Sequence, residues 1–209
     1  MKKVIDGIVR EIRDREDYLG TNKLETIYFG GGTPSILSCE DWTKIFIELS
    51  SVYEWDKNTE ITVECNPEDI NKGYLSILKE MGVNRISLGV QSLNDGVLKW
   101  MGRHHSVEQS IQSIKCIEKS GIENFSVDII FGIPGYSREC LKRDLKDFFS
   151  NFYPPHVSAY QLTIEPRTKL NYLVRTGQLK ISNEENVREE FLMIQDMLLE
   201  RDYLHYEVS

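Results

Sequence analysis

Residues 28–35 read YFGGGTPS: three consecutive glycines followed by Thr33, Pro34 and Ser35, directly after the apolar run Ile27, Tyr28 and Phe29. Glycine inside a strand or helix costs about 0.5–1 kcal/mol relative to alanine, so three together mark a place where backbone turns sharply or passes close to something. Two readings follow, a tight turn or the floor of a ligand site.

Outward from this stretch, apolar β-branched segments recur at Glu25–Phe29, Glu60–Val63, Asn84–Leu88, Phe125–Phe131 and His156–Leu162, and each predicts a strand. Amphipathic helices lie between them. Ser38-Cys39-Glu40-Asp41 is a capping-box-like start for a helix that turns Trp42, Ile45, Phe46 and Leu49 inward. Ser106 to Gln109 does the same before Ile111, Ile114 and Ile117, and Ser182 to Glu185 opens a third helix with Val187, Phe191, Ile194 and Leu198 on one face. Shorter helical patterns follow Asp69 (Leu75, Leu78) and Ser137 (Leu141, Leu145, Phe148). Strands alternating with helices in units of this size read as βαβ crossovers in a parallel sheet, either barrel-type or doubly wound. Both architectures gather ligands at the carboxyl ends of their strands.

Those ends carry polar or glycine features: Gly30–Gly32 and Thr33, Glu64 in ECNPE, Gln91 in RISLGVQS, Asp128 with Gly132 and Gly135 in DIIFGIPG, and Tyr160-Gln161 leading to Glu165-Pro166. Each has a plainer reading. Gly132 to Gly135 is a turn, Glu64 caps the next helix, Gln91 and Arg103 are surface groups, and Tyr160 lines the core. Asp128 resists such a reading, because a carboxylate between Val127 and Ile129 in a buried strand needs a partner or a ligand. Glycine amides suit an anion, yet neither G-x-G-x-x-G nor G-K-[ST] is present, which weakens a nucleotide-phosphate reading. The glycines suit equally an amino-acid moiety whose positive groups are drawn to nearby carboxylates.

Composition narrows the class. The chain has 209 residues, 40% hydrophobic and 28% charged, with a net charge of −8, which fits one globular domain and a small-molecule partner rather than nucleic acid. No apolar run approaches the roughly 20 residues of a membrane span. Cys39, Cys65, Cys116 and Cys140 are separated by 25, 50 and 23 intervening residues, neither a disulfide framework nor a metal-ligand spacing, so they read as reduced and cytoplasmic. His104 and His105 point to different sides of any regular element, and no metal site is expected.

In order and spacing, GGGTPS, ECNPE, RISLGVQS, GRHHS, DIIFGIPG and YQLTIEP resemble the radical S-adenosylmethionine family of oxygen-independent coproporphyrinogen III oxidase-like proteins. Gly-Val-Gln-Ser and Gly-Ile-Pro-Gly are similar to its heme-chaperone branch. The resemblance runs from about Ile5 to Ser209. It implies a partial (β/α)6 barrel, α/β in class, that binds S-adenosylmethionine. Gly30, Gly31, Gly32 and Thr33 would receive the methionyl ammonium with help from Glu64. Arg103 would pair with the methionyl carboxylate, and Gln91 and Asp128 would bond the ribose hydroxyls. Heme or a porphyrin is the further ligand implied.

The family's Cys-x-x-x-Cys-x-x-Cys loop, which holds a 4Fe-4S cluster, has no counterpart in this sequence. On the resemblance, residues 1–209 are expected to be a single truncated core domain that lacks the first strand, starting at the first helix, Val4 to Tyr18. It stops at Tyr206-Glu207-Val208-Ser209, before a C-terminal domain implicated in heme binding. Without cluster thiolates the chain as given is expected to be catalytically inert, with no catalytic residue to assign. An exposed edge on its first visible strand is expected to promote self-association. The alternatives are an unrelated α/β-barrel metabolic enzyme with Glu64 and Asp128 as acid and base, and a non-catalytic heme- or S-adenosylmethionine-binding protein.

Overall fold

The computed structural model describes residues 2–207 and places five strands and eight helices among them. The strands are β1 (Thr26–Phe29), β2 (Glu60–Cys65), β3 (Arg85–Gln91), β4 (Asn124–Phe131) and β5 (His156–Gln161). They lie within a few residues of the expected runs and form one parallel sheet in the order β1-β2-β3-β4-β5. The helices are α1 (Lys2–Asp14), α2 (Cys39–Val52), α3 (Lys72–Glu80), α4 (Asp95–Trp100), α5 (Val107–Ser120), α6 (Arg138–Phe149), α7 (Lys169–Arg175) and α8 (Glu184–Leu199). The chain divides into two compact units, one running to Leu88 and including Ile111–Phe125, the other comprising Gly89–Ser110 and the chain from Ser126 onward.

In the first unit β1 pairs with β2 from Thr26↔Glu60 to Phe29↔Val63, and β2 with β3 from Thr62↔Arg85 to Cys65↔Leu88. Val63, Leu78, Ile86 and Ile117 are wholly buried, which is why these strands read as continuous apolar runs rather than alternating ones. The capping box of α2 forms as expected: the Ser38 hydroxyl accepts from Asp41 N–H, and the Asp41 carboxylate accepts from Ser38 N–H. Beneath it Trp42 is fully buried and meets Phe29 edge-on at 4.9 Å between ring centroids. Helix α1 ends at Asp14, four residues before the expected Tyr18. Its Arg13 reaches across to α2 and donates through Nε and Nη2 to the two carboxylate oxygens of Glu48, at 2.8 and 2.6 Å. Those hydrogen bonds, before any other influence, hold the Glu48 carboxyl below its ordinary range.

In the second unit β4 pairs with β5 from Ser126↔His156 to Phe131↔Gln161. Ser137 caps α6 by accepting from Cys140 N–H, and Leu141, Leu145 and Phe148 are buried as the periodicity demands. Three expectations change. The cap of α8 is Asn183, whose side chain accepts from Asn186 N–H, so the cap lies one residue after the expected Ser182 and the helix begins at Glu184. Its deepest line is Glu190, Ile194 and Met197, while Val187, Phe191 and Leu198 are only half-buried. Tyr160 is 44% exposed rather than core-lining, because β5 ends the strand order and none of its residues is buried. Helices α4 and α7, six and seven residues long, are too short to show an apolar period in sequence.

Candidate functional site

The glycine stretch of the first unit is built around one carboxylate. Glu64, at the end of β2, accepts from Gly31 N–H at 3.1 Å through Oε2 and from the Tyr28 hydroxyl at 2.8 Å through Oε1. Glycine at position 30 lets this contact form: a Cβ on it would lie 2.6 Å from Glu64 Oε1 and 2.6 Å from the Tyr28 ring, so those side chains would have to shift. Gly31 and Gly32 have φ of 76° and 144°, backbone that side-chain-bearing residues rarely adopt. Thr33, at φ −139° and ψ 77°, follows and leads into the short 3-10 turn Pro34–Ile36. Ser35 then ties this segment to the next motif. Its buried hydroxyl donates to Asp69 at 2.5 Å and accepts from Asn66 N–H at 3.2 Å. Gly30, Gly31 and Glu64 are thus brought into direct contact, and GGGTPS and ECNPE form one structural block.

Glu64 does not act as the cap of the following 3-10 turn: Asn66 occupies the cap position of Pro67–Asp69 and makes no side-chain cap bond. The neighbouring Cys65 is buried. Burial first, then the negative charges of Asp69 and Glu64, push its thiol well above the ordinary range, so it is an inert core residue.

The second unit holds the other three candidates. Gln91 closes β3 with φ of 66°, a left-handed conformation that is uncommon for any residue with a Cβ. Just before it, Val90 carbonyl accepts from Ser92 N–H at 2.8 Å and from His105 Nε2–H at 3.1 Å. His105 is 4% exposed. Arg103 is placed by the end of α4, where Gly102 has φ of 74° and Arg103 N–H reaches back to Leu98 carbonyl at 2.9 Å, the closing bond of a Schellman turn. Asp95 on α4 accepts from Val107 N–H at 2.8 Å. Gln91 and Arg103 therefore sit on one short connection between β3 and α5, pinned by His105 and Asp95.

Asp128 lies on β4 opposite Ser158 of β5 and accepts from Ser126 Oγ at 3.3 Å. It is half-buried, less enclosed than the apolar flanks Val127 and Ile129 suggest, because Val127 and Ile129 face the other side of the strand. Beyond it, Gly132 has φ of 76° and donates its N–H to Glu190 Oε2 at 2.8 Å. Glu190 is 4% exposed. Burial raises its pKa, against the opposing pull of Gly132 N–H and Arg138.

Tyr28, Ser35, His105 and Glu190 were not identified from the sequence. Glu190 had a signal: it stands four residues before Ile194 and seven before Met197, the spacing of a buried helical face.

The four cysteines are free, with Cys39 exposed and Cys65 buried, and no group of three or more His, Cys, Asp or Glu side chains able to hold a metal ion occurs among the described residues. These side chains do not fit an iron-sulfur cluster. No helix among the described residues is long and apolar enough to cross a membrane.

A family model for the radical SAM superfamily matches residues 2–148. The heme chaperone HemW of Lactococcus lactis is 35% identical over 205 residues, 98% of this chain and 54% of that protein. HemW of Bacillus subtilis is 34% identical over 191 residues, 91% of this chain and 50% of that protein. Among solved structures, coproporphyrinogen III oxidase (HemN) from Escherichia coli superposes with a TM-score of 0.84 at 21% identity, covering 97% of this chain and 46% of that one. That likeness is one of fold. The chain spans about half the length of the curated relatives it matches.

Proposed function

Because this chain belongs to the radical SAM superfamily, we propose that it is the S-adenosylmethionine-binding core of a cytoplasmic heme-handling protein of the HemW type. The observation that carries this reading is the 35% identity to a HemW heme chaperone over 98% of the chain. The residues present fit the cofactor. Glu64, beside the exposed Gly30 to Gly32 and the half-buried Thr33, offers a carboxylate to the methionyl ammonium. Arg103 is suited to fork onto the methionyl carboxylate. Gln91 and Asp128 supply an amide and a carboxylate for the vicinal ribose hydroxyls. Bound S-adenosylmethionine contributes a cleavable sulfonium to this family's chemistry, with the electron delivered by a 4Fe-4S cluster whose ligands are not among this chain's cysteines.

A chaperone is favoured over an oxidase by Gly-Val-Gln-Ser at residues 89–92 and Gly-Ile-Pro-Gly at 132–135. Anaerobic incubation of the full-length protein with coproporphyrinogen III separates the two. Transfer of heme to an acceptor with no vinyl-bearing product supports the carrier; formation of that product makes it an oxidase. For the cofactor site, Asp128→Ala is expected to weaken S-adenosylmethionine binding in calorimetry, and unchanged affinity would remove Asp128 from the site. Self-association belongs to the same proposal. β1 ends the strand order, and sedimentation at rising concentration is expected to show dimers; a constant monomer mass would exclude it.

A further inference from the structure

Beyond β1 and β4 the chain reaches positive φ at glycines, Gly31 and Gly132, whereas β3 ends in Gln91 at φ of 66°. A residue with a Cβ is strained in that conformation, so glycine would be the easier choice unless the amide has a task. The backbone around Gln91 is tighter still. Ser92 N–H reaches Val90 carbonyl at 2.8 Å and closes a three-residue turn centred on Gln91. A positive φ at such a centre belongs to the rare, strained form of the γ-turn. The same carbonyl accepts a second hydrogen bond, at 3.1 Å, from Nε2–H of His105, 15 residues further along. His105 is buried, while its neighbour His104 is exposed. The tie closes a loop that is also held from within. Ser92 Oγ accepts from Asn94 N–H at 3.3 Å, Asn94 caps α4 by accepting from Val97 N–H, and Arg103 N–H returns to Leu98 carbonyl. Gln91 stands one residue from one end of the tie and Arg103 two residues from the other.

We infer that His105 is the positioning residue of the ribose contact. By holding Val90 carbonyl it keeps Gln91 in its strained turn, with the amide presented to the 2′- and 3′-hydroxyls of the cofactor, and so sets the preference for a ribonucleoside over a deoxyribonucleoside. The inference rests on the S-adenosylmethionine reading above, which gives Gln91 to the ribose, and adds the residue that enforces that contact. A strained turn persists only where its surroundings over-determine it. A single hydrogen bond across three residues does not do that, and a buried imidazole delivering an N–H from the far end of the loop supplies the second constraint. Without it Gln91 can relax toward the common inverse turn, at φ of about −75°. That change redirects its Cβ and carries the amide away from the diol, for which it would both donate and accept. The internal bonds of the loop do not depend on His105, so the loss falls on the ribose contact rather than on the loop.

The test is calorimetry of the 209-residue chain with S-adenosylmethionine and with its 2′,3′-dideoxyribose analogue. Wild type should prefer S-adenosylmethionine by about tenfold or more. His105→Leu should bind S-adenosylmethionine about tenfold more weakly, the size of one hydrogen bond, and the analogue within about twofold of wild type. His105→Gln, which carries an N–H donor at comparable reach, should recover most of the affinity. In a Gln91→Ala background, His105→Leu should cost no more than about twofold further. Should His105→Leu fail to fold, His105→Asn, polar but too short to reach Val90, takes its place with the same expectations. Equal losses for the two ligands would make His105 a structural residue only and overturn the inference. So would wild-type affinity in His105→Leu, or a loss that survives in Gln91→Ala. A wild type that binds and discriminates but is indifferent to His105 sinks this inference and leaves the cofactor reading intact. One that binds neither ligand refutes the cofactor reading itself, and this inference with it.

Discussion

Alanine at position 30 tests the fold of the glycine stretch and its proposed cofactor role separately. Its Cβ would lie 2.6 Å from both Glu64 Oε1 and the Tyr28 ring, inside the 3.4 Å where ordinary contact begins. Glu64 must therefore swing away and release Gly31 N–H and the Tyr28 hydroxyl. Buried hydrogen bonds to a charged group are worth about 1.5–3 kcal/mol each. Here Tyr28 is 57% exposed and water takes over both donors, so about 1 kcal/mol in total is the larger end of the loss. Gly30 has no left-handed φ, and stiffening the unfolded chain returns roughly 0.4–1 kcal/mol. Folding stability should thus barely change, by less than about 4 °C in Tm for a chain of this size. S-adenosylmethionine affinity should fall about 10- to 100-fold, the equivalent of one lost charge-assisted hydrogen bond. Gly31→Ala is the contrast. At φ of 76° it forces a left-handed alanine, costing about 1–2 kcal/mol and roughly 2–8 °C, with no atom in the way of the new methyl. Thermal unfolding and calorimetry on the two variants decide the matter. Wild-type affinity in Gly30→Ala, or a larger stability loss there than in Gly31→Ala, would refute the reasoning.

Glu190 has a folded pKa above its unfolded value, chiefly through burial. The folded state therefore holds its proton more tightly, and stability should decline as pH rises from the unfolded pKa through the folded one. Glu190→Gln keeps an oxygen for Gly132 N–H and should flatten that decline in urea titrations run upward from an unfolded carboxyl near about 4.3; an unaltered slope would exclude Glu190 as its source. Glu48 should behave oppositely. Its lowered pKa stabilises the fold above the unfolded value and is lost as pH falls through the folded one, so Arg13→Gln should weaken the protein at pH 7 and leave it little changed in strong acid. Trp42→Ala empties a wholly buried position and should cost about 3–5 kcal/mol, visible as a lower denaturation midpoint with unchanged slope. Gln91→Gly relieves a left-handed side chain worth about 1–2 kcal/mol against an entropic cost of about 0.5–1. It should raise stability slightly while lowering S-adenosylmethionine affinity.

The strands were legible because β2 to β4 are lined by buried apolar side chains, whose β-branched runs need no partner to be recognised; β1 buries only Ile27. β5 was legible in extent but misread in surroundings: its sequence does not say that it ends the order, and so Tyr160 looked like core. The α8 face was misread for a related reason. Glu190 is a carboxylate, and hydropathy assigns carboxylates to solvent; its burial becomes understandable only when Gly132, 58 residues earlier, presents an N–H to it. Gly30 to Gly32 announced themselves, whereas Ser35 and Tyr28 did not. Hydroxyls are common in turns, and their partners Asp69 and Glu64 are 34 and 36 residues away.

These hidden partners share one physical task. Where a parallel strand ends, its backbone leaves the ladder with polar groups that still need partners, and a side chain from a distant element meets that need in three places. Glu64 accepts from Gly31 beyond β1, His105 donates to Val90 near the end of β3, and Glu190 accepts from Gly132 beyond β4. In each case a residue with φ above 60° stands at the clamped point or next to it: Gly31, Gln91 and Gly132. Such conformations cost of order 1–3 kcal/mol for residues with a Cβ and persist only where surrounding structure fixes them. The clamps do the fixing. Sequence shows the permissive half of the device, the glycines, because permissiveness is a property of one residue. It conceals the holding half, because holding is a relation between two residues that only the fold brings within reach.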